Sequence, residues 1–217
     1  MCGRFALTAT LEVLAQMFDV PERPNLAPRW NIAPTQQTCV VTQDPSGRHL
    51  ASMRWGFEGP NGAPLINARS ETAAVKPSFR AALAERRCLV PADSFYEWQH
   101  LDEKRKQPWR IGMKGGTPFA FAGLWENATD KAGQPLQRFT ILTCAANEYL
   151  APLHERMPVI VAPEDYARWL APGPAAGDLL RSFPDEPMAR YRVSDRVNSV
   201  KHDDAGCFER LAATALL

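Results

Sequence analysis

Residues 87–99 read RCLVPADSFYEWQ, and this stretch decides the fold. It is dense in apolar and aromatic residues and reads as strand. Three further runs of the same kind follow, QPWRIGM (107–113), FAFAGLWE (119–126) and RFTILTCAA (138–146). Their separators, HLDEKRK, KGGT and NATDKAGQPL, carry charge, glycine and turn formers. Strands joined this way predict an antiparallel meander. Toward the N-terminus, TCVVT (38–42) and HLASMRWGF (49–57) read as a strand pair joined by QDPSGR (43–48). TLEVLAQMF (10–18) has apolar residues at helical spacing, with Thr8 or Thr10 as cap. SETAAV (70–75) and SFRAALAER (78–86) read as helices interrupted at Lys76-Pro77, and NEYLAPLH (147–154), PEDYARWLA (163–171) and AGDLLRSF (176–183) as further short helices. RMPVIV (156–161) and MARYRVSDRVN (188–198) return as strands. The linkers are short and no repeat interrupts them. The expectation is an α+β fold, one β-rich domain over 1–217 of mainly antiparallel strands with several short helices.

The chain of 217 residues is 45% hydrophobic, enough for one well-buried core. No apolar run is long enough to span a membrane, and the first residues lack the layout of a signal peptide, so a cytoplasmic protein is expected, nucleoid-associated if bacterial. Net charge is only +1, which excludes a strong global field toward nucleic acid, although 19 of the 25 basic residues are Arg. A local basic cleft remains compatible with this balance, because the guanidinium fork suits phosphate and base stacking.

The five cysteines, Cys2, Cys39, Cys88, Cys144 and Cys207, contain no CxxC pair, and no two of the four histidines fall at ligand spacing. No metal and no cofactor are expected. HExxH, GxSxG and P-loop patterns are absent. Cys39, Cys88 and Cys144 sit in strand-like apolar runs and read as small core residues. His49 and His100 flank strands and read as solvated. Cys2 is different, since it stands behind Met1 and before Gly3 and Arg4. Aminopeptidases remove Met before a small residue, which would leave a free α-amine beside the thiol. Unperturbed, these groups titrate near ~7.7–8.0 and ~8.5.

Three segments carry polar groups where burial or a tight loop is expected: LINARSET (65–72) with Asn67, Arg69 and Glu71, SFYEWQ (94–99) with Glu97 between aromatics, and LHERMPVIV (153–161) with His154 before Arg156. Each has a plain alternative. Asn67 can organise a turn, Glu97 can lie on a solvent face, and His154 can end a helix. With Cys2 they supply a nucleophile, a carboxyl group, an imidazole and an amide, the set that carbonyl or acyl chemistry needs.

With those residues in view, the sequence resembles the SRAP (SOS response-associated peptidase) family of abasic-site processing proteins. The matching pieces are MCGRF (1–5), RWNIAP (29–34), RWGF (54–57), LINARSET, SFYEW, LTCAAN (142–147) and HERMPVIV (154–161), in family order, with VNSVKHDD (197–204) extending the match. Residues 205–217 carry no assigned role. The resemblance implies a β-rich α+β domain with a cleft for single-stranded DNA, acting in the DNA damage (SOS) response. It implies a covalent crosslink, in which the amine and thiol of Cys2 trap the ring-opened aldehyde of an abasic site as a thiazolidine and shield the lesion. Glu97 would move the α-amine proton, His154 would act as acid/base at the sugar, and Asn67 would position the sugar or the N-terminus. Arg4, Arg69 and Arg156 would contact phosphates, while Trp55 would stack on a base and Trp98 would stack or pack behind Glu97. A monomer binding single-stranded DNA is expected, with no membrane partner. Alternatives are a thiol peptidase confined to Met1 removal, a lyase, and a non-catalytic single-strand binder.

Overall fold

The computed structural model describes residues 2–22, 24–130, 132–174 and 177–212. Its strands are β1 (Phe5–Leu7), β2 (Arg29–Ile32), β3 (Gln37–Asp44), β4 (Gly47–Trp55), β5 (Phe57–Glu58), β6 (Pro64–Leu65), β7 (Asn67–Arg69), β8 (Arg87–Ala92), β9 (Ser94–His100), β10 (Lys106–Met113), β11 (Phe119–Thr129), β12 (Pro135–Ala145), β13 (Arg156–Pro158), β14 (Ile160–Val161) and β15 (Met188–Arg192). Four short α-helices accompany them, α1 (Leu11–Phe18), α2 (Ser70–Ala73), α3 (Pro77–Glu85) and α4 (Tyr166–Leu170). The fold is a strand-rich α+β domain, as the sequence implies.

The stretch 87–99 is not one strand. It breaks at Asp93 into β8 and β9, which belong to different sheets. The Asp93 carboxylate accepts from both the backbone N–H and the hydroxyl of Thr8, while Asp93 N–H donates to Ala6 O at 2.8 Å. This clasp fixes the crossing point against the N-terminal strand. β9 then joins a five-stranded sheet of order β15-β10-β9-β1-β2, all antiparallel.

β8 belongs to the larger sheet, in which β12, β4, β3, β8 and β11 pair in turn and β11 pairs back to β12. These five strands close a ring, which removes their free edges. β12 runs parallel to both β4 and β7 in a fold of mainly antiparallel strands, and the expected meander breaks after β10, because β9 and β10 pair in the five-stranded sheet while β11 and β12 pair in the ring. Parallel neighbours need a long crossover, and the segment carrying α2 and α3 supplies part of it. The core lies between ring and sheet. Phe5 of the sheet meets Trp55 and Phe121 of the ring at centroid distances of 5.0 and 5.7 Å, and Phe95 meets Phe121 at 5.9 Å.

Thr10, not Thr8, caps α1, accepting from Val13 N–H at 3.5 Å, and Thr8 is engaged by Asp93 instead. NEYLAPLH forms consecutive turns rather than a helix, started by Asn147 Oδ1 accepting from Leu150 N–H at 2.9 Å. Of AGDLLRSF, a 3-10 turn covers Gly177–Leu179, and Ala176 lies outside the described residues. Strand β15 stops at Arg192, and Asp195–Asn198 form a 3-10 turn. His49 is not simply solvated, because its Nδ1 lies 2.7 Å from Glu22 Oε1, a contact that raises its pKa. Among the described residues no helix is long and apolar enough to cross a membrane.

Candidate active site around the first strand

β1 pairs with β9 so that Phe5 faces Phe95 and Ala6 faces Ser94, and Tyr96 N–H donates to Arg4 O at 3.0 Å. Carried back along the chain, this antiparallel register brings Gly3 and Cys2 beside Glu97 and Trp98. The sheet thus delivers the residue behind Met1 to the aromatic-flanked carboxyl group.

Cys2 is fully buried, contrary to the expectation that it alone among the cysteines lies outside a packed setting. Its Sγ lies 3.9 Å from Arg4 O. Burial, and next the negative charge of Glu97, push the thiol far above its ordinary range. The thiol is therefore neutral, unlike the partly ionised group that unperturbed values suggest.

Glu97 is 4% exposed, so the solvent-face alternative does not hold. Burial raises its carboxyl pKa, and the positive charge of the amino terminus works against that rise. Asn67, on β7, donates through Nδ2 to Cys2 O at 2.9 Å. Its Oδ1 is buried and accepts no hydrogen bond among the described residues. The amide therefore holds the backbone of Cys2 with one end and presents an acceptor with the other.

His154 ends the turns that replace the expected helix. Its Nδ1 accepts from Arg156 N–H at 2.9 Å. The neutral ring must then carry its proton on Nε2. Burial lowers its pKa, and the amino-terminal charge acts in the same direction. At neutral pH His154 is thus an Nε2–H donor, a narrower role than the balanced acid/base implied by an unperturbed ring. Asn67 bonds the Cys2 carbonyl and the charge of Glu97 acts on the Cys2 thiol, which gathers these three candidate residues around the start of β1.

The expected DNA contacts divide. Trp55 is fully buried, with Nε1 donating to Ile66 O at 2.9 Å and its ring stacked on Phe139 at 6.1 Å. Strand alternation turns Met53 and Trp55 inward and Arg54 outward, so the Trp55 ring is core and does not stack on a base. Arg156 is only 9% exposed, and its guanidinium spans Glu71 at 2.6 and 2.9 Å and Thr143 O at 2.6 Å. Arg4 is half-buried and donates to Asn31 Oδ1 and Val197 O, both at 2.8 Å. These two arginines are therefore committed to the protein rather than offered to phosphate. Arg69 is exposed. Trp98 is partly buried, packs on Tyr96, Val193 and Val197, and donates from Nε1 to Asn198 Oδ1 at 2.7 Å.

The sequence reading missed the residues that position these groups. Asp203 accepts from the backbone of Trp30 and Asn31 at 2.6 and 2.9 Å, and Asn31 Nδ2 donates to Val197, Ser199 and His202 carbonyls. The segment 197–204 is thereby strapped onto β2 beside Arg4. The polar run VNSVKHDD was its only signal. Among the described residues no group of three or more His, Cys, Asp or Glu is arranged to hold a metal ion.

The chain matches the family described as SOS response associated peptidase (SRAP) over residues 1–200. It is 40% identical to the abasic site processing protein YoaM of Bacillus subtilis, across 94% of this chain and 96% of that one. The abasic site processing protein YedK of Escherichia coli is 31% identical across 94% of this chain and 97% of its own. A crystal structure of a Bacteroides thetaiotaomicron protein superposes with a TM-score of 0.85 over 97% of this chain and all of that one, and at 22% identity it shares the fold.

Proposed function

The chain belongs to the SRAP family, and from that premise we propose that it captures abasic sites in single-stranded DNA as a covalent adduct of Cys2. The observation that carries this reading is the buried cluster in which Cys2 is hydrogen-bonded by Asn67 and faces the charge of Glu97. Met1 lies outside the described residues, and the reading requires its removal.

The chemistry follows from the protonation states. A neutral thiol attacks poorly, so the α-amine acts first. It adds to the C1′ aldehyde of the ring-opened sugar to give a carbinolamine. Glu97, with its raised pKa, accepts the ammonium proton and returns a proton to the departing hydroxyl, which leaves as water and yields the imine. The thiol then adds to the imine carbon, its proton passes to nitrogen, and the thiazolidine closes. One water is lost overall. His154, with Nε2–H, donates to the sugar ring oxygen as the closed form opens. Asn67 Oδ1 accepts from a hydroxyl or N–H of the bound sugar. Arg69 meets a flanking phosphate.

A thiol-peptidase reading needs a thiolate beside an imidazolium. Burial holds both Cys2 and His154 in their neutral forms, which disfavours that pair. Intact-mass spectrometry with an abasic oligonucleotide tests the proposal. The expected species weighs the sum of protein and DNA less one water and survives heat. Cys2→Ser should leave at most a borohydride-reducible imine. No adduct from protein lacking Met1 would refute the reading.

A further inference from the structure

Glu97 is buried in a strand that opens to solvent directly after it. Trp98 and Gln99 are partly buried and His100 is exposed. In the sheet, β1 and β10 flank β9 on its two sides. Cys2 approaches Glu97 from the β1 side. On the other side β10 pairs with β9 so that Trp109 stands directly opposite Glu97. Residues opposite each other in an antiparallel pair share a face, with Cβ atoms about 4.5–5.5 Å apart. We propose that Trp109 is a positioning residue for the Cys2 reaction, because its indole, fixed by Gln99 and Arg190, walls the Glu97 carboxyl group off from water. This rests on the functional reading above and adds the residue that maintains one of its acid–base groups.

The face assignment comes first. Trp109 packs against the core cluster that contains Cys2, Phe95 and Ile111. Trp98, although adjacent to Glu97 in sequence, packs on the opposite face with Tyr96, Val193 and Val197. The tryptophan that shares a face with Glu97 is thus the one on the neighbouring strand. Its ring is also held. Trp109 Nε1 donates to Gln99 Oε1 at 3.0 Å, and Gln99 is the next residue after Glu97 on that face. An indole rooted opposite Glu97 and tied to Gln99 fills the face between the carboxyl group and the exposed end of β9. Arg190 secures the ring from β15. Its guanidinium lies 5.4 Å from the Trp109 ring centre and 4.4 Å from that of Tyr149. It donates to Tyr149 O, and the Arg190 N–H donates to Tyr149 Oη at 3.1 Å. Tyr149 belongs to the turns that end at His154, so the wall also ties the Glu97 sheet to the segment carrying the second acid–base group.

The titratable and charged groups around Glu97 are the α-amine and thiol of Cys2, Arg190 and Arg192 on the same sheet face, and His154 beyond the turns. Arg190 donates to the Tyr149 carbonyl and Arg192 to that of Ala212. Burial is the largest influence on the Glu97 carboxyl group and raises its pKa. A solvated carboxylate would titrate near ~4.3 and take a proton from the Cys2 ammonium less readily, since a good general base titrates near the working pH.

The test follows the Glu97 carboxyl carbon by 13C NMR across pH, with the signal assigned by its loss in Glu97→Gln, and measures crosslinking rate against pH in the same variants with an abasic oligonucleotide. In Trp109→Ala the titration midpoint should fall toward ~4.3, and the midpoint of the rate profile should move down with it. The plateau rate should fall, by at most the ~10²- to 10⁴-fold that an acid–base group contributes. Trp109→Phe keeps a ring on that face and should restore most of both. Gln99→Ala releases the indole without removing it and should shift the midpoint in the same direction by less. A slower Trp109→Ala whose Glu97 midpoint has not moved would overturn the proposal, because lost packing alone gives that result. If Trp109→Ala does not fold, Gln99→Ala carries the test, and an unmoved midpoint there overturns the proposal equally. A midpoint that shifts as expected while wild-type protein forms no crosslink would refute the Cys2 chemistry and leave the shielding of Glu97 by Trp109 standing.

Discussion

Glu97→Gln is expected to make the protein more stable and less reactive at once. The carboxyl group is 4% exposed, and burial raises its pKa despite the opposing amino-terminal charge. The folded protein therefore binds this proton more tightly than the unfolded chain does. Where the native state holds the extra proton, stability falls as pH rises. The loss begins near the unfolded Glu value of ~4.3 and continues to the raised folded value, and each pKa unit of separation costs about 1.4 kcal/mol. Glutamine keeps the shape and never ionises, so the variant escapes this cost. Wild type and variant should melt together near pH 4, and the variant should melt higher near pH 8. For a domain of this size each kcal/mol corresponds to roughly 2–4 °C. Circular dichroism melts across pH ~4 to ~8 measure the gap, and stopped crosslinking reactions measure the rate, which should drop ~10²- to 10⁴-fold. A variant that is less stable than wild type at pH 8, by an amount that does not change with pH, would refute the argument that this carboxyl group is held against a desolvation cost.

Other consequences are separable. His154→Ala should slow sugar opening; because the imidazolium is a stronger donor than the neutral ring and burial lowers the wild-type pKa below its ordinary ~6.5, the His154-dependent part of the rate should rise as pH falls below that value, and the variant should lack this rise. Arg156→Met should cost about 1–3 kcal/mol in urea unfolding, since it strands the buried Thr143 carbonyl, yet leave the salt slope for undamaged single strands unchanged. Arg69→Ala should do the reverse, preserving stability and lowering that slope by about 0.7. Trp55→Ala should cost roughly 3–5 kcal/mol through the cavity it opens, with any loss of DNA binding tracking the fraction unfolded.

Much of this protein was legible because it depends on neighbours in sequence. A short apolar run between polar residues marks strands such as Gln37–Asp44, Lys76-Pro77 separates α2 from α3, and the ordered motifs from MCGRF to HERMPVIV carry the family and the four candidate reactive residues. What the sequence could not assign was the employment of each polar or aromatic group, because that depends on partners far away along the chain. Arg156 meets a carboxylate 85 residues earlier, Arg4 meets a carbonyl 193 residues later, and Trp98 is aimed by an amide 100 residues on. Trp55 and Arg54 differ by one position, yet strand alternation sends one into the core and the other to solvent. The continuous strand at 87–99 splits because Thr8 and Ala6 bind Asp93 there. Protonation is the clearest case. Cysteine, glutamate and histidine carry ordinary values in any unfolded chain, and tertiary burial raises those of the Cys2 thiol and the Glu97 carboxyl and lowers that of the His154 ring, since desolvation is a property of the assembled core and not of any local stretch.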